Sequence, residues 1–177
     1  KGGVTLLDAI QRASEPAGIR RIRLGSLEPL FITETVAKAL AANRKICRQF
    51  HLSLQSGSNT VLQRMNRRYT AGEYLHALEL LRAEMPDCAI TTDVIAGFCG
   101  ETEAEHQETL SFCEQAAFAR MHVFPFSLRK GTKAECLPGH LPKAAKEARA
   151  QELIALGKRL TGQYLRSQIG SVVEVLV

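Results

Sequence analysis

Apolar and polar positions repeat along this chain with two periods, and the change from one to the other marks out its elements. Near residues 19, 50, 89 and 121 the period is two. Over 50–55, Phe50, Leu52 and Leu54 share one parity, and His51, Ser53 and Gln55 share the other. Over 89–96, Ile90, Thr92 and Val94 alternate with Thr91, Asp93 and Ile95. Over 19–25, Ile22 and Leu24 alternate with Arg21 and Arg23, and over 121–126 His122, Phe124 and Phe126 stand opposite Val123. Such runs read as strands. Between them apolar residues return every three or four positions, which predicts helices. These cover 4–13, about 33–42, a short basic stretch with Val61, Leu62 and Met65, and two longer stretches carrying Leu75, Leu78 and Leu81, then Leu110, Cys113 and Ala117. The two longer helices open on capping boxes, Thr70 with Glu73 and Thr102 with Glu105, in which each side chain bonds the other residue's amide. A long helix over about 143–168 presents Leu153, Leu156, Leu160 and Tyr164, and a β-branched run over 171–177 predicts a last strand.

Four strands roughly 30 to 40 residues apart, each followed by a helix, predict an α/β fold with a parallel sheet and right-handed crossovers. Four such units are half of a barrel. Polar residues recur on one parity of the strands, at Arg23, Ser53, Gln55, Asp93 and His122. A strand covered on both faces reads as nearly continuous apolar residues. The polar parity therefore belongs either to an edge strand with a wet face or to the lumen of a barrel. The segments leaving the strand ends, SLEP, SGSN, GFCGET and SLRKGT, are rich in glycine, serine and charge. Parallel α/β folds bind ligands at that end.

Several side chains there are candidates for chemistry. Gln55, Ser56 and Ser58 offer hydrogen bonds to a ribose or an amino acid group, or serve only as a turn and cap. Arg64, Arg67 and Arg68 form a basic face, from which Arg67 could fold back on the strand end and clamp a carboxylate. Asp93 inside an apolar strand needs a partner. His122 reads as a core histidine or a ligand, and Phe124 and Phe126 as base-stacking rings or core. Cys99 lies in a loop beside these residues with nothing nearby to make it a nucleophile. Glu101 and Glu105 favour the helix N-terminus that follows them.

Composition narrows the class. The 177 residues are 45% hydrophobic and 23% charged, ordinary for a globular protein with one real core. No apolar run reaches the length of a membrane span, so no membrane partner is expected; the location expected is cytoplasmic, where unpaired cysteines stay reduced. The net charge of +5 leans toward an anionic partner. The five cysteines show no CxxC or CxxxCxxC spacing, so they suggest reduced core thiols over a self-contained metal site. Lys1-Gly2-Gly3 reads as the interior of a longer chain.

At HLSLQSGSNTVLQRMNRRYT, ITTDVIAGFCGET and MHVFPFSLRKGTKA the chain resembles the radical S-adenosylmethionine methylthiotransferases. Within them it is most similar to the bacterial enzymes that act on threonylcarbamoyladenosine beside the tRNA anticodon. The resemblance implies the C-terminal part of a partial (β/α)6 barrel over 1–168. It also implies that 169–177 open a small RNA-binding β-barrel domain. S-adenosylmethionine would contact Ser26, Glu28, Gln55, Ser56, Arg67, Asp93, Ile95, Gly97 and Phe124, and Arg129, Lys130 and Lys133 would line an RNA-facing rim. The family carries two 4Fe-4S clusters reduced by an electron donor. Their cysteine ligands are not among these residues, so this chain alone is expected to be inactive. In the intact enzyme a 5′-deoxyadenosyl radical would take hydrogen from adenine C2 before a methylthio group is installed. Cys99 and Ser53 stand where proline is common in the family. Two other readings remain, a non-catalytic nucleotide- or RNA-binding module and a methylthiotransferase acting on a ribosomal protein aspartate. The open sheet edge at 19–25 is a possible dimer contact.

Overall fold

The computed structural model describes residues 3–172. In chain order its elements are α1 (Leu6–Ser14), β1 (Ser26–Leu27), α2 (Glu34–Ala42), β2 (Gln49–Leu52), α3 (Asn59–Arg64), α4 (Ala71–Glu84), β3 (Ala89–Ala96), α5 (Glu103–Ala116), β4 (Arg120–Pro125) and α6 (Lys143–Ser167). Short 3-10 turns lie at Pro29–Phe31 and Lys133–Cys136. The strands form one parallel sheet in the order β1-β2-β3-β4, the α/β arrangement expected from the strand spacing. Both expected capping boxes are formed, and a third, Thr5 with Asp8, opens α1.

The apolar parity of the strands makes the core. Phe50, Leu52, Leu54, Ile90, Val94 and Ala96 are fully buried and cluster with Leu40 of α2, Leu78 and Leu81 of α4, Cys113 of α5 and Leu153 of α6. The helices thus cover one face of the sheet, and the other, polar face is left open. Because β2 has a strand on each side, its polar parity is not the wet face of an edge strand. It lines the hollow of a partial barrel.

The sheet departs from expectation at two places. The predicted strand over 19–25 is only an isolated bridge from Ile22 to Ile46, and regular pairing begins at Ser26 with His51. Five steps along one chain match four along the other, so one extra residue interrupts the ladder as a bulge does. The same happens between β2 and β3, where His51 pairs with Thr91 but Gln55 pairs with Val94. Four steps match three, which ends the regular strand at Leu52. The carbonyls left over are covered by side chains. Tyr74 Oη donates to Leu52 O at 2.6 Å, and Tyr69 Oη lies 2.8 Å from Ser53 O and 3.0 Å from Leu54 O. Thr92 Oγ1 accepts from the Leu54 amide at 3.0 Å. Burial pushes the Tyr69 phenol up to about 12 and that of Tyr74 higher still, so both remain donors. Of the expected last strand, 173–177 lie outside the described residues, and Ser171 and Val172 are not in a strand.

Candidate functional site

The second bulge shapes the site. After it, Gln55 has a left-handed φ of 69°, a conformation that costs a non-glycine residue about 1 kcal/mol. Its amide is still tied into the sheet, donating to Asp93 O while its carbonyl accepts from the Ile95 amide, both at 2.9 Å. Bulges beside sites re-aim a side chain in this way. Gln55 is 9% exposed, and its side chain has no hydrogen-bond partner among the described residues. It opens into a cavity of about 510 Å³ with Asp93, Ile95, Phe124, Pro125, Arg129 and Thr132 on its walls. Phe124 is 51% exposed there. An unpaired amide, a carboxylate, an aliphatic wall and an open ring suit a planar ligand with a polar edge.

The loops around the cavity are clamped by charge. Glu101 is buried after β3, and its Oε1 accepts from Arg149 Nη1 of α6 at 2.9 Å and from the Gly97 amide at 3.0 Å. Arg149 Nη1 also donates to Glu101 O at 2.8 Å. Gly97 has φ +73°, and a Cβ there would sit 2.5 Å from Lys146 Cγ. Arg64 of α3 binds both carboxylate oxygens of Glu105, at 2.9 and 2.8 Å. That guanidinium, with the Thr60 hydroxyl and Thr102 amide, holds the Glu105 carboxyl down at about 2. Glu105 therefore joins α3 to α5 besides capping its own helix.

Of the residues singled out by the sequence, Gln55, Asp93, Ile95, Phe124 and Arg129 meet at this cavity. Others lie elsewhere. Ser26 is on a hollow of about 690 Å³ nearer the strand starts, with Arg23, Gln49, His51, Thr91 and His122. Glu28 and Arg67 share a third hollow with Leu30, Asn66 and Arg68, so Arg67 is not folded back on the Gln55 cavity. Ser56 is fully buried and turned toward α5, sharing a 3.1 Å hydrogen bond with Thr109. Its hydroxyl also accepts from the Ser58 amide at 3.2 Å and so ties the turn to α5. The Gly97 amide is taken by Glu101. Lys130 and Lys133 are exposed on the loop after β4. His122 is not a core histidine. It is exposed on the polar face, edge-on to His51 with ring centroids 6.2 Å apart. Phe126 packs against Phe98 at 4.9 Å.

The cysteines do not converge. Cys113 is in α5, Cys88 and Cys99 flank β3, Cys47 precedes β2 and Cys136 is in the last loop. Among the described residues no group of His, Cys, Asp and Glu is arranged to hold a metal ion. Burial pushes the Cys99 thiol up, and its sulfur is 3.4 Å from His140 Nδ1, which suits a packed thiol. Sequence reasoning missed Arg149, Tyr69, Tyr74 and the place of His51. The polar parity of 50–55 was the signal for His51, and a buried glutamate beside a turn was the signal for Arg149.

Comparison with known proteins fits this geometry. The model of the radical SAM superfamily matches residues 4–113. A threonylcarbamoyladenosine tRNA methylthiotransferase from Chlamydia pneumoniae is 39% identical over 99% of this chain and 42% of its own length. Two tRNA-2-methylthio-N(6)-dimethylallyladenosine synthases are similarly close. That of Mycobacteroides abscessus is 42% identical over 90% of this chain and 32% of its own length. That of Chlorobium phaeobacteroides is 41% identical over 97% and 38%. The chain thus spans less than half the length of these relatives. Among solved structures, the radical SAM enzyme coproporphyrinogen III oxidase of Escherichia coli aligns with a TM-score of 0.64 at 19% identity, over 79% of this chain and 32% of that one. The cobalamin-dependent S-adenosylmethionine radical enzyme OxsB aligns with a TM-score of 0.52 at 13% identity, over 89% of this chain and 20% of that one.

Proposed function

The chain belongs to the radical SAM superfamily, and from that premise we propose that the cavity of Gln55, Asp93, Ile95 and Phe124 holds S-adenosylmethionine. The observation that carries this reading is the Gln55 amide, turned by a left-handed backbone into a cavity where it has no partner among the described residues. The donor set fits the cofactor. Gln55 offers a donor and an acceptor, and Asp93 accepts from a hydroxyl or ammonium. Phe124 and Ile95, paired side by side on β4 and β3, offer one apolar wall to a planar base, and the bulge fixes the angle at which Gln55 meets it. When bound, the cofactor supplies the methyl group and, with an electron from an iron–sulfur cluster, the radical. The five cysteines of this chain do not fit such a cluster.

The wider reading follows from the relatives. In its full setting the chain is part of a cytoplasmic tRNA methylthiotransferase that modifies C2 of N6-threonylcarbamoyladenosine. It works with two 4Fe-4S clusters and an electron donor, with residues 1–168 in the radical SAM core and 169–177 opening an RNA-binding domain. A Chlamydia pneumoniae relative named for that nucleoside matches over 99% of the chain, and the dimethylallyladenosine synthases match about as well. Exposed Arg129, Lys130 and Lys133 suit tRNA phosphates. The outer edge at β1 is where two copies of the chain would pair. The scattered cysteines favour a second reading for the isolated chain, a nucleotide-binding module without chemistry.

Calorimetric titration with S-adenosylmethionine tests the site. Gln55→Ala is expected to weaken binding about tenfold, while Arg67→Ala, outside this cavity, leaves it within about twofold. Equal loss in both variants, or none in Gln55→Ala, rejects the assignment.

A further inference from the structure

The polar face of the sheet carries a run of hydrogen bonds that leads to the cavity and that the cofactor reading does not use. Arg23 Nε donates to Gln49 Oε1 at 2.7 Å, and Gln49 Nε2 donates to Thr91 Oγ1 at 3.0 Å. Thr91 Oγ1 lies 3.0 Å from His51 Nδ1. The other ring nitrogen, His51 Nε2, is in ion-pair contact with Asp93 Oδ2 at 3.3 Å and shares a hydrogen bond with Ser53 Oγ at 3.4 Å. His122 braces the ring edge-on.

With the ring neutral, the directions are consistent in one way. A lone pair on Nε2 would face a carboxylate oxygen, so Nε2 carries the proton, and in the neutral ring Nδ1 then accepts. Thr91 already accepts from Gln49, and its own proton goes to Nδ1 at 3.0 Å in preference to the Phe50 carbonyl at 3.5 Å. Every donor from Arg23 to His51 thus points the same way, and bonds aligned in this way strengthen one another, leaving the Nε2–H in contact with Asp93. Oδ2 is in contact with the His51 ring, while Oδ1 has no hydrogen-bond partner among the described residues and Asp93 lines the cavity.

We propose that His51 is a positioning residue, held as its Nε2–H tautomer by the Arg23–Gln49–Thr91 relay, which fixes the Asp93 carboxylate so that its free oxygen receives a hydroxyl or ammonium donor of the bound ligand. The proposal rests on the cavity being the S-adenosylmethionine site, and its test separates the two. The chain and its variants are titrated with S-adenosylmethionine, and the ring nitrogens of His51 are read by long-range 1H–15N NMR. His51→Leu is expected to weaken binding about tenfold, and His51→Gln, which keeps an N–H toward Asp93, to recover all but about threefold. Because His51 acts through Asp93, His51→Leu adds less than about twofold in an Asp93→Asn background. Weak binding in Asp93→Asn with none lost in His51→Leu overturns the proposal, and so do multiplicative losses in the double variant. Parental binding by both Gln55→Ala and Asp93→Asn, or no binding by the folded parent, rejects the cavity reading instead. The spectrum then decides the relay, since a pyrrole-type Nε2 supports it and a proton on Nδ1 or a tautomer mixture overturns it.

Discussion

Replacing Arg149 by methionine tests whether charge holds the loop at the end of β3. The Glu101 side chain is 2% exposed and that of Arg149 13%, so water does little to screen the pair. Methionine keeps much of the aliphatic stem but removes the guanidinium from both Glu101 Oε1 and Glu101 O. Removing one partner of a buried pair costs about 3–5 kcal/mol, because the remaining charge is left in low dielectric. The Gly97 amide remains on Oε1 and offsets about 1 kcal/mol of that. The expected loss is therefore about 3 kcal/mol, or about 6–12 °C in Tm for a chain of this size. Urea and thermal unfolding followed by circular dichroism measure it, and hydrogen exchange at the Gly97 amide should quicken. Adding Glu101→Met should recover part of the loss, since an apolar pair leaves no orphaned charge. A deficit below about 1 kcal/mol, the range of an exposed pair, or a double variant no better than Arg149→Met, would refute the argument.

Two further outcomes test the scaffold. Pairing lowers the Glu105 carboxyl from its ordinary 4.5 to about 2, so its stabilisation is complete above pH 4.5 and is lost as pH falls toward 2. Arg64 is about a third exposed, which discounts the effect to about 1–2 kcal/mol. Urea midpoints of Glu105→Gln should lie below the parent's at pH 7 and converge with them near pH 2. A Cβ on Gly57 would stand 2.6 Å from Phe112 Cβ and 2.8 Å from Thr109 Cα, so Gly57→Ala should lower stability by about 1–3 kcal/mol. An unchanged denaturation midpoint would mean that α5 is free to move away.

How far each feature is legible in the sequence depends on the range of the interaction behind it. Alternation of period two needs only neighbours along the chain, so the buried parity of Phe50, Leu52 and Leu54 is plain from the residues of that stretch alone. Capping boxes span four residues, and those of Thr70 and Thr102 are equally plain. The register slips are not. They are stabilised by Tyr69, Tyr74 and Thr92, which come from α4, its approach and the next strand, and nothing within 50–55 indicates that those side chains will arrive. The same reason explains why the sequence points to Gln55 but not to its left-handed backbone. Arg67, twelve residues from Gln55 along the chain, looks near enough to reach it, yet α3 and the turn at Asn66 carry it to another hollow. Arg149 is more than fifty residues beyond Asp93 and nonetheless fixes the loop that leaves its strand. Sequence proximity thus identifies the strand ends as the working surface, while its rigidity comes from α4, α5 and α6 on the opposite face. A substitution on that helical face can therefore disturb the cavity without lining it, and Arg149→Met is the direct case, because Gly97 follows the strand that carries Asp93 and Ile95 into the site.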